Sequence, residues 1–290
     1  MTLTLAAAQY DIGFFQHFDD FGNKLADWFS QAKAQGAELL VFPEYASMEL
    51  SSLFGEAVYA DLNKQLYAMQ SVYQDYRACY QQLAKTHNVF VLAGSFPLLI
   101  GDTTFRNRAE LFSPEGSVGY QDKLIMTRFE NEKWLIQPGK DLAVFNTDIG
   151  TLGINICYDS EFPMFARQQA EAGAELILVP SCTDGQAGFN RVKVGCQARA
   201  LENQCFVLQS PTVGDAPWSP AVDCNAGKAA IYAPIERGIS DDGIVAQGEN
   251  EQAQWVYASV DLSDVAHLRQ EAQVLNYRDW PKQFLLSQGA

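Results

Sequence analysis

Three side chains suited to acyl-transfer chemistry stand at the ends of short expected strands in this sequence. Glu44 follows LLVFP, Lys123 follows GYQD, and Cys157 closes GINIC before YDSEFP begins. Attack on a carbonyl or nitrile carbon needs a thiolate, a base that accepts and returns protons, and a cation to hold the developing oxyanion. Taken singly, each residue has a plainer reading. Glu44 can cap a loop, Lys123 can sit in water, and Cys157 can fill the core, as free cysteines usually do. Cys157 is distinguished by a helix start expected at residues 160–163, whose N–H groups and positive end would pull its thiol below the reference of about 8.5.

An internal repeat supports Glu44. AQGAELLVFPE (34–44) and EAGAELILVPS (171–181) share a glycine that caps a helix, an acidic residue that opens a strand and a proline that closes it. Ser181 stands where the first copy has Glu44, so the unit forms without a carboxylate. A glutamate just past a buried strand lies at the end where open α/β sheets gather their ligands.

The rival nucleophile is Cys182, which also follows a buried strand but has no helix start immediately behind it. His17, His87 and His267 are the only histidines, and none has the motif a Cys–His enzyme would need. Arg191 and Lys193 could receive a carboxylate, although two cations on an amphipathic helix more often face water. Arg199, Glu202 and Asn203 in ARALEN are expected to hold their helix near the lysine and glutamate through hydrogen bonds.

The elements that must position these residues follow from periodicity. Strands are predicted at 2–10, 38–42 and in the ELILVP, FVLQSPTV, KAAIYAP and WVYASV segments, with helices at 19–35, 62–87, 162–173 and 187–203. Between residues 89 and 157 short strands follow one another, two of them joined by the turn SPEG. With no Gly/Ser/Pro linker, the chain reads as one domain over 1–290 with a C-terminal extension from about 262. Mixed β-α-β and hairpin units predict a layered α/β fold.

Composition removes other classes. Of the 290 residues 48% are apolar, enough for a substantial core, and a net charge of −15 argues against nucleic-acid binding. No apolar run approaches the roughly 20 residues that span a bilayer, and MTLTLAAAQYDIG lacks a signal-peptide pattern, so the expected location is the cytoplasm without membrane association. The six cysteines form no C-x-x-C pair and no zinc spacing.

Taken in order, VFPEYAS, YQDKLIM, GINICYDSEFP and ARALEN resemble the nitrilase superfamily of carbon–nitrogen hydrolases, from AAAQYDIG near the start to VLNYRDWP near the end. That resemblance implies a four-layer α-β-β-α sandwich, commonly paired as a homodimer, and a cofactor-independent, metal-free mechanism on a small-molecule amide or N-carbamoyl substrate. Carried over, Cys157 forms the covalent thioester, Glu44 is the general base and then acid, and Lys123 stabilises the oxyanion with the backbone N–H of Tyr158. Family members often add a second glutamate after the lysine. TRFENEKW offers Glu130 and Glu132, and the resemblance favours Glu132 because an aromatic residue follows two positions later. Tyr158-Asp159 after the nucleophile resembles the amidase and carbamoylase branches, since true nitrilases commonly carry Trp-Glu there. Nitrile hydrolysis, or a non-catalytic member that keeps the fold for binding or assembly, are the alternatives.

Overall fold

The computed structural model describes residues 2–285. Its strands are β1 (Thr2–Asp11), β2 (Leu39–Val41), β3 (Phe90–Leu92), β4 (Phe96–Ile100), β5 (Thr104–Ser113), β6 (Gly116–Asp122), β7 (Val144–Thr147), β8 (Gly150–Ile154), β9 (Leu176–Ser181), β10 (Phe206–Asp215), β11 (Cys224–Asn225), β12 (Ala230–Tyr232), β13 (Ile244–Gln247) and β14 (Gln254–Asp261). The α-helices are α1 (Phe18–Ala34), α2 (Glu56–Tyr59), α3 (Leu62–Met69), α4 (Tyr73–His87), α5 (Pro163–Glu171), α6 (Gln186–Asn203), α7 (Ser263–Glu271) and α8 (Asn276–Asp279).

The strands form one curled sheet with central order β4-β5-β3-β2-β1-β10-β9-β8-β7. It folds at the parallel β1–β10 contact, where only Tyr10↔Thr212 and Asp11↔Val213 pair. The alternation of β1 shows the layering. Leu3, Leu5 and Ala7 join Leu39, Val41, Leu92 and Leu111 in a core shared with Ile154, Leu178 and Leu208 of the second half. Ala6, Ala8 and Tyr10 point the other way, with Leu40 and Phe42, onto Phe21, Leu25 and Phe29 of α1 and Tyr76 and Tyr80 of α4. Val192, Cys196 and Ala200 of α6 pack on the second half. This gives helix, sheet, sheet, helix, since an element with an apolar face on both sides must be covered on both.

The repeated helix-to-strand units are both present. Gly36 and Gly173 hold φ of 76° and 102°, the left-handed region glycine tolerates, and lead into β2 and β9. The predicted helix over 62–87 is broken instead. A 3₁₀ turn at Gln70–Val72 separates α3 from α4, and the Gln70 side chain donates to the Leu66 and Pro97 carbonyls while accepting from the Leu99 N–H. This side chain ties the break to β4, a contact about 30 residues away in sequence.

Candidate active site

Glu44, Lys123 and Cys157 line one cavity of about 600 Å³, together with Tyr158 and Cys182. Each comes from a different strand end. Glu44 lies three residues past β2, Lys123 follows β6 directly, and Cys157 lies three residues past β8. Both chain reversals at the cavity floor are sharp. Tyr45, next to Glu44, has φ 57°, and Cys157 itself has φ 50°, a left-handed conformation that non-glycine residues adopt only when their surroundings impose it. Cys157 opens a 3₁₀ turn, Cys157–Glu161, in which the Ser160 hydroxyl donates to the Cys157 carbonyl at 2.6 Å. Gly195 lets α6 press on that turn, because a Cβ there would sit 2.9 Å from the Ser160 carbonyl oxygen. The Arg199 guanidinium donates to the same carbonyl at 3.0 Å. Thus ARALEN braces the nucleophile's turn, with Asn203 donating back to the Arg199 carbonyl, while Gly188 and Val192 of the same helix line the cavity with Glu44 and Lys123.

The Lys123 ammonium, 1% exposed, donates to Glu44 Oε1 at 2.8 Å and to Glu130 Oε2 at 2.7 Å. Glu132 is elsewhere. Its side chain is 47% exposed and pairs with Arg128 one helical turn away at 2.7 Å. The second glutamate beside the lysine is therefore Glu130, which corrects the expectation of Glu132. The reason is local: residues 130–134 wind as a single π-helical turn ended by Leu135 at φ 59°. That turn buries Glu130 and Trp134 and leaves Glu132 on the outer side.

Glu130 is fully occupied. It accepts from the Tyr45 hydroxyl at 2.8 Å, from the Thr127 N–H and hydroxyl at 2.9 Å each, and from Asn107 Nδ2 at 3.3 Å. Glu44 accepts from Asn107 Nδ2 at 2.8 Å and, through its other oxygen, from the Cys182 N–H at 2.9 Å. Cys182 therefore shares the cavity, and its backbone serves the carboxylate. Its thiol lies 3.4 Å from Asn225 Oδ1, while the Cys157 thiol donates to the Cys182 carbonyl at 3.7 Å. Ser181 ends the second copy of the sequence repeat and Cys182 follows it directly, so the two copies meet tip to tip at Glu44.

The electrostatics separate the two glutamates. Burial raises the Glu44 carboxyl, only partly offset by Lys123. Burial acts on Glu130 as well, but Lys123 and the Thr127 and Tyr45 hydrogen bonds outweigh it and hold Glu130 below its ordinary value. Two carboxylates pushed apart in this way can play different parts, one exchanging a proton and one staying ionised. Lys123 is pressed down by burial and held up, more strongly, by Glu130 and Glu44, so it remains an ammonium. Cys157 departs from expectation: burial, and next the Glu44 charge, push its thiol well up. The 3₁₀ turn stands between it and α5, which starts only at Pro163, so the resting group is a thiol beside a base. Cys182 is pushed up to about 12, chiefly by burial.

Tyr45, Asn107 and Thr127 are site residues that the sequence reading missed. Asn107 left a signal: it alternates with Phe105 and Ala109 on the buried face of β5, where a polar side chain needs partners. Of the two cations considered for a carboxylate, Arg191 lines the cavity and lies 3.5 Å from Glu161. Lys193 is not among the lining residues. None of the three histidines lines the cavity either.

The family model described as carbon-nitrogen hydrolase matches residues 4–270. The probable hydrolase YhcX of Bacillus subtilis is 32% identical over 275 residues, which are 95% of this chain and 53% of that protein, so the chain spans about half of that relative's length. The omega-amidase NIT2 of Danio rerio is 26% identical over 262 residues, 86% of this chain and 85% of that protein. Among solved structures, Saccharomyces cerevisiae Nit3, a member of branch 10 of the nitrilase superfamily, superposes with a TM-score of 0.75 at 20% identity over 96% of each chain. A carbon-nitrogen hydrolase from Helicobacter pylori G27 superposes with a TM-score of 0.77 at 17% identity, covering 99% of this chain and 95% of that one. At these identities the structural likeness establishes the fold.

Proposed function

Because the chain belongs to the carbon-nitrogen hydrolase family, we propose that it hydrolyses a small amide or N-carbamoyl compound through a thioester on Cys157. The observation that carries this reading is the placement of the Glu44–Lys123–Glu130 cluster in one cavity with the Cys157 thiol. Glu44 takes the thiol proton as sulfur adds to the carbonyl carbon. The resulting oxyanion is held by the Lys123 ammonium and the Tyr158 N–H. Glu44 then returns the proton to the leaving nitrogen, the C–N bond breaks, and ammonia or an amine departs. Water, deprotonated by Glu44, attacks the thioester, releasing the acid and restoring the thiol. Glu130 stays ionised and keeps Lys123 charged and in place.

Amides are favoured over nitriles on two grounds. The YDSEFP segment resembles the amide-hydrolysing branches, and relatives at 24–26% identity over most of the chain are named omega-amidases. We further propose that the protein pairs with a second copy, for which the exposed Met164 of α5 and Val194 and Leu201 of α6 offer an apolar face. The test of function is ammonia release from matched amide and nitrile pairs of several chain lengths. Amides are expected to show the higher kcat/KM throughout, Cys157→Ala to abolish turnover and Cys182→Ala to leave most of it. A consistent nitrile preference would overturn the bond class. Turnover that survives Cys157→Ala would overturn the nucleophile, and an absence of any turnover would favour the binding or assembly reading.

A further inference from the structure

We infer that Asp159 is a positioning residue: it clamps the strand end that carries Lys123 to the turn that carries Cys157, and so sets the ammonium against the oxygen of the scissile carbonyl. The inference rests on the acyl-transfer reading above. Asp159 is 1% exposed and lies two residues past the nucleophile in the Cys157–Glu161 turn. Its Oδ1 accepts from the Ile125 N–H at 2.8 Å, and Leu124 N–H reaches both carboxylate oxygens, at 3.0 and 3.2 Å. Those are the two peptide groups that follow Lys123. The backbone of Lys123 is held on its other sides as well, its N–H donating to the Asn107 carbonyl at 2.9 Å and its own carbonyl accepting from Gly139 at 2.7 Å. Of these ties, only the Asp159 clamp reaches the nucleophile's segment.

A carboxylate does this where a neutral side chain would not. It presents acceptor oxygens on both sides to two adjacent N–H groups, and charge-assisted bonds of this kind are the stronger sort. An Asn in its place keeps one carbonyl oxygen and turns an NH₂ toward a donor. The clamp spans the two elements whose separation matters most for an oxyanion donor, and a misplacement of about 1 Å can cost on the order of a hundredfold in rate.

Asp159→Asn is therefore expected to lower kcat about 10- to 100-fold with KM within about threefold. Measurement at about pH 8 keeps the native carboxylate ionised, since burial pushes Asp159 up to about 7. The discriminating readout is alkylation of Cys157 by iodoacetamide. In that reaction the C–S bond forms, the C–I bond breaks, iodide leaves and the thiol proton goes to Glu44, with no oxyanion for Lys123 to hold. Its rate should stay within about threefold of wild type. If turnover is unchanged in Asp159→Asn, or if turnover and alkylation fall together, the inference fails, the second result marking a merely structural residue. Should Asp159→Asn not fold, Asp159→Glu keeps both acceptor oxygens on a longer arm and is expected to show the same split; failure of both to fold would equally overturn it. Turnover surviving in Cys157→Ala would instead sink the reading on which the inference rests.

Discussion

Glu130 and Glu132 are two residues apart and of one chemical type, yet only Glu130 touches Lys123. Removing the charge of Glu130 would leave a buried ammonium with one carboxylate instead of two, and Glu44 would then have to stay ionised for it rather than exchange protons. Glu130→Gln is expected to lower kcat at least about a hundredfold, as loss of an electrostatic partner at an oxyanion site does, whereas Glu132→Gln should leave both kcat and Tm unchanged; steady-state kinetics and thermal melts of the pair decide. The raised Glu44 carboxyl carries a pH consequence. Below its pKa the base is protonated and cannot take the thiol proton, so kcat/KM should fall as pH falls, with a midpoint above the ordinary value of 4.5. A pH–rate profile whose acid limb centres at or below that value would place the base elsewhere. Lys123, Glu44 and Cys157 were legible in the sequence because each stands just past the end of a short strand. The choice between the two glutamates was not, because it depends on a π-helical turn that neither periodicity nor residue type encodes.

At the scale of elements, the Cys157–Glu161 turn joins geometry to reactivity. Its first residue pays a conformational penalty for standing in the left-handed region, of order 1–2 kcal/mol for a non-glycine residue. Among inactive variants, Cys157→Gly should thus be more stable than Cys157→Ala by roughly 0.5–1 kcal/mol, the reverse of the usual order of these two residues. Urea unfolding of both measures the difference, and an alanine variant that is the more stable would show the turn to be relaxed. Strands such as β1 and β5 were readable from their alternation, β10 from its continuous apolar, β-rich run, and α1 from its periodicity. The break after α3 was hidden because it depends on the Gln70 side chain reaching Pro97 and Leu99. The helix start expected at 160–163 is present at Pro163, but the 3₁₀ turn Cys157–Glu161 stands between it and the thiol, and burial of Cys157 sets the direction instead.

On the scale of the whole molecule, no helix among the described residues is long and apolar enough to cross a membrane. The layering follows from strands that are apolar on both faces. The seam between the two halves of the sheet is narrow, with two residue pairs between β1 and β10, reinforced by the Ser210 hydroxyl on the Ala8 and Val41 carbonyls. Glu44 and Lys123 belong to the first half and Cys157 and Cys182 to the second. The nucleophile and its base therefore become neighbours only once strands about 200 positions apart along the chain have met. Such distant pairings are slow to form. During refolding from denaturant, helical circular dichroism should recover first and iodoacetamide reactivity of Cys157 last, together with turnover. Coincident recovery would mean that the halves never exist apart. If the lag is seen, a newly made chain passes through a period in which it is largely structured but chemically silent, and the thiol acquires its partner base only when the fold is closed.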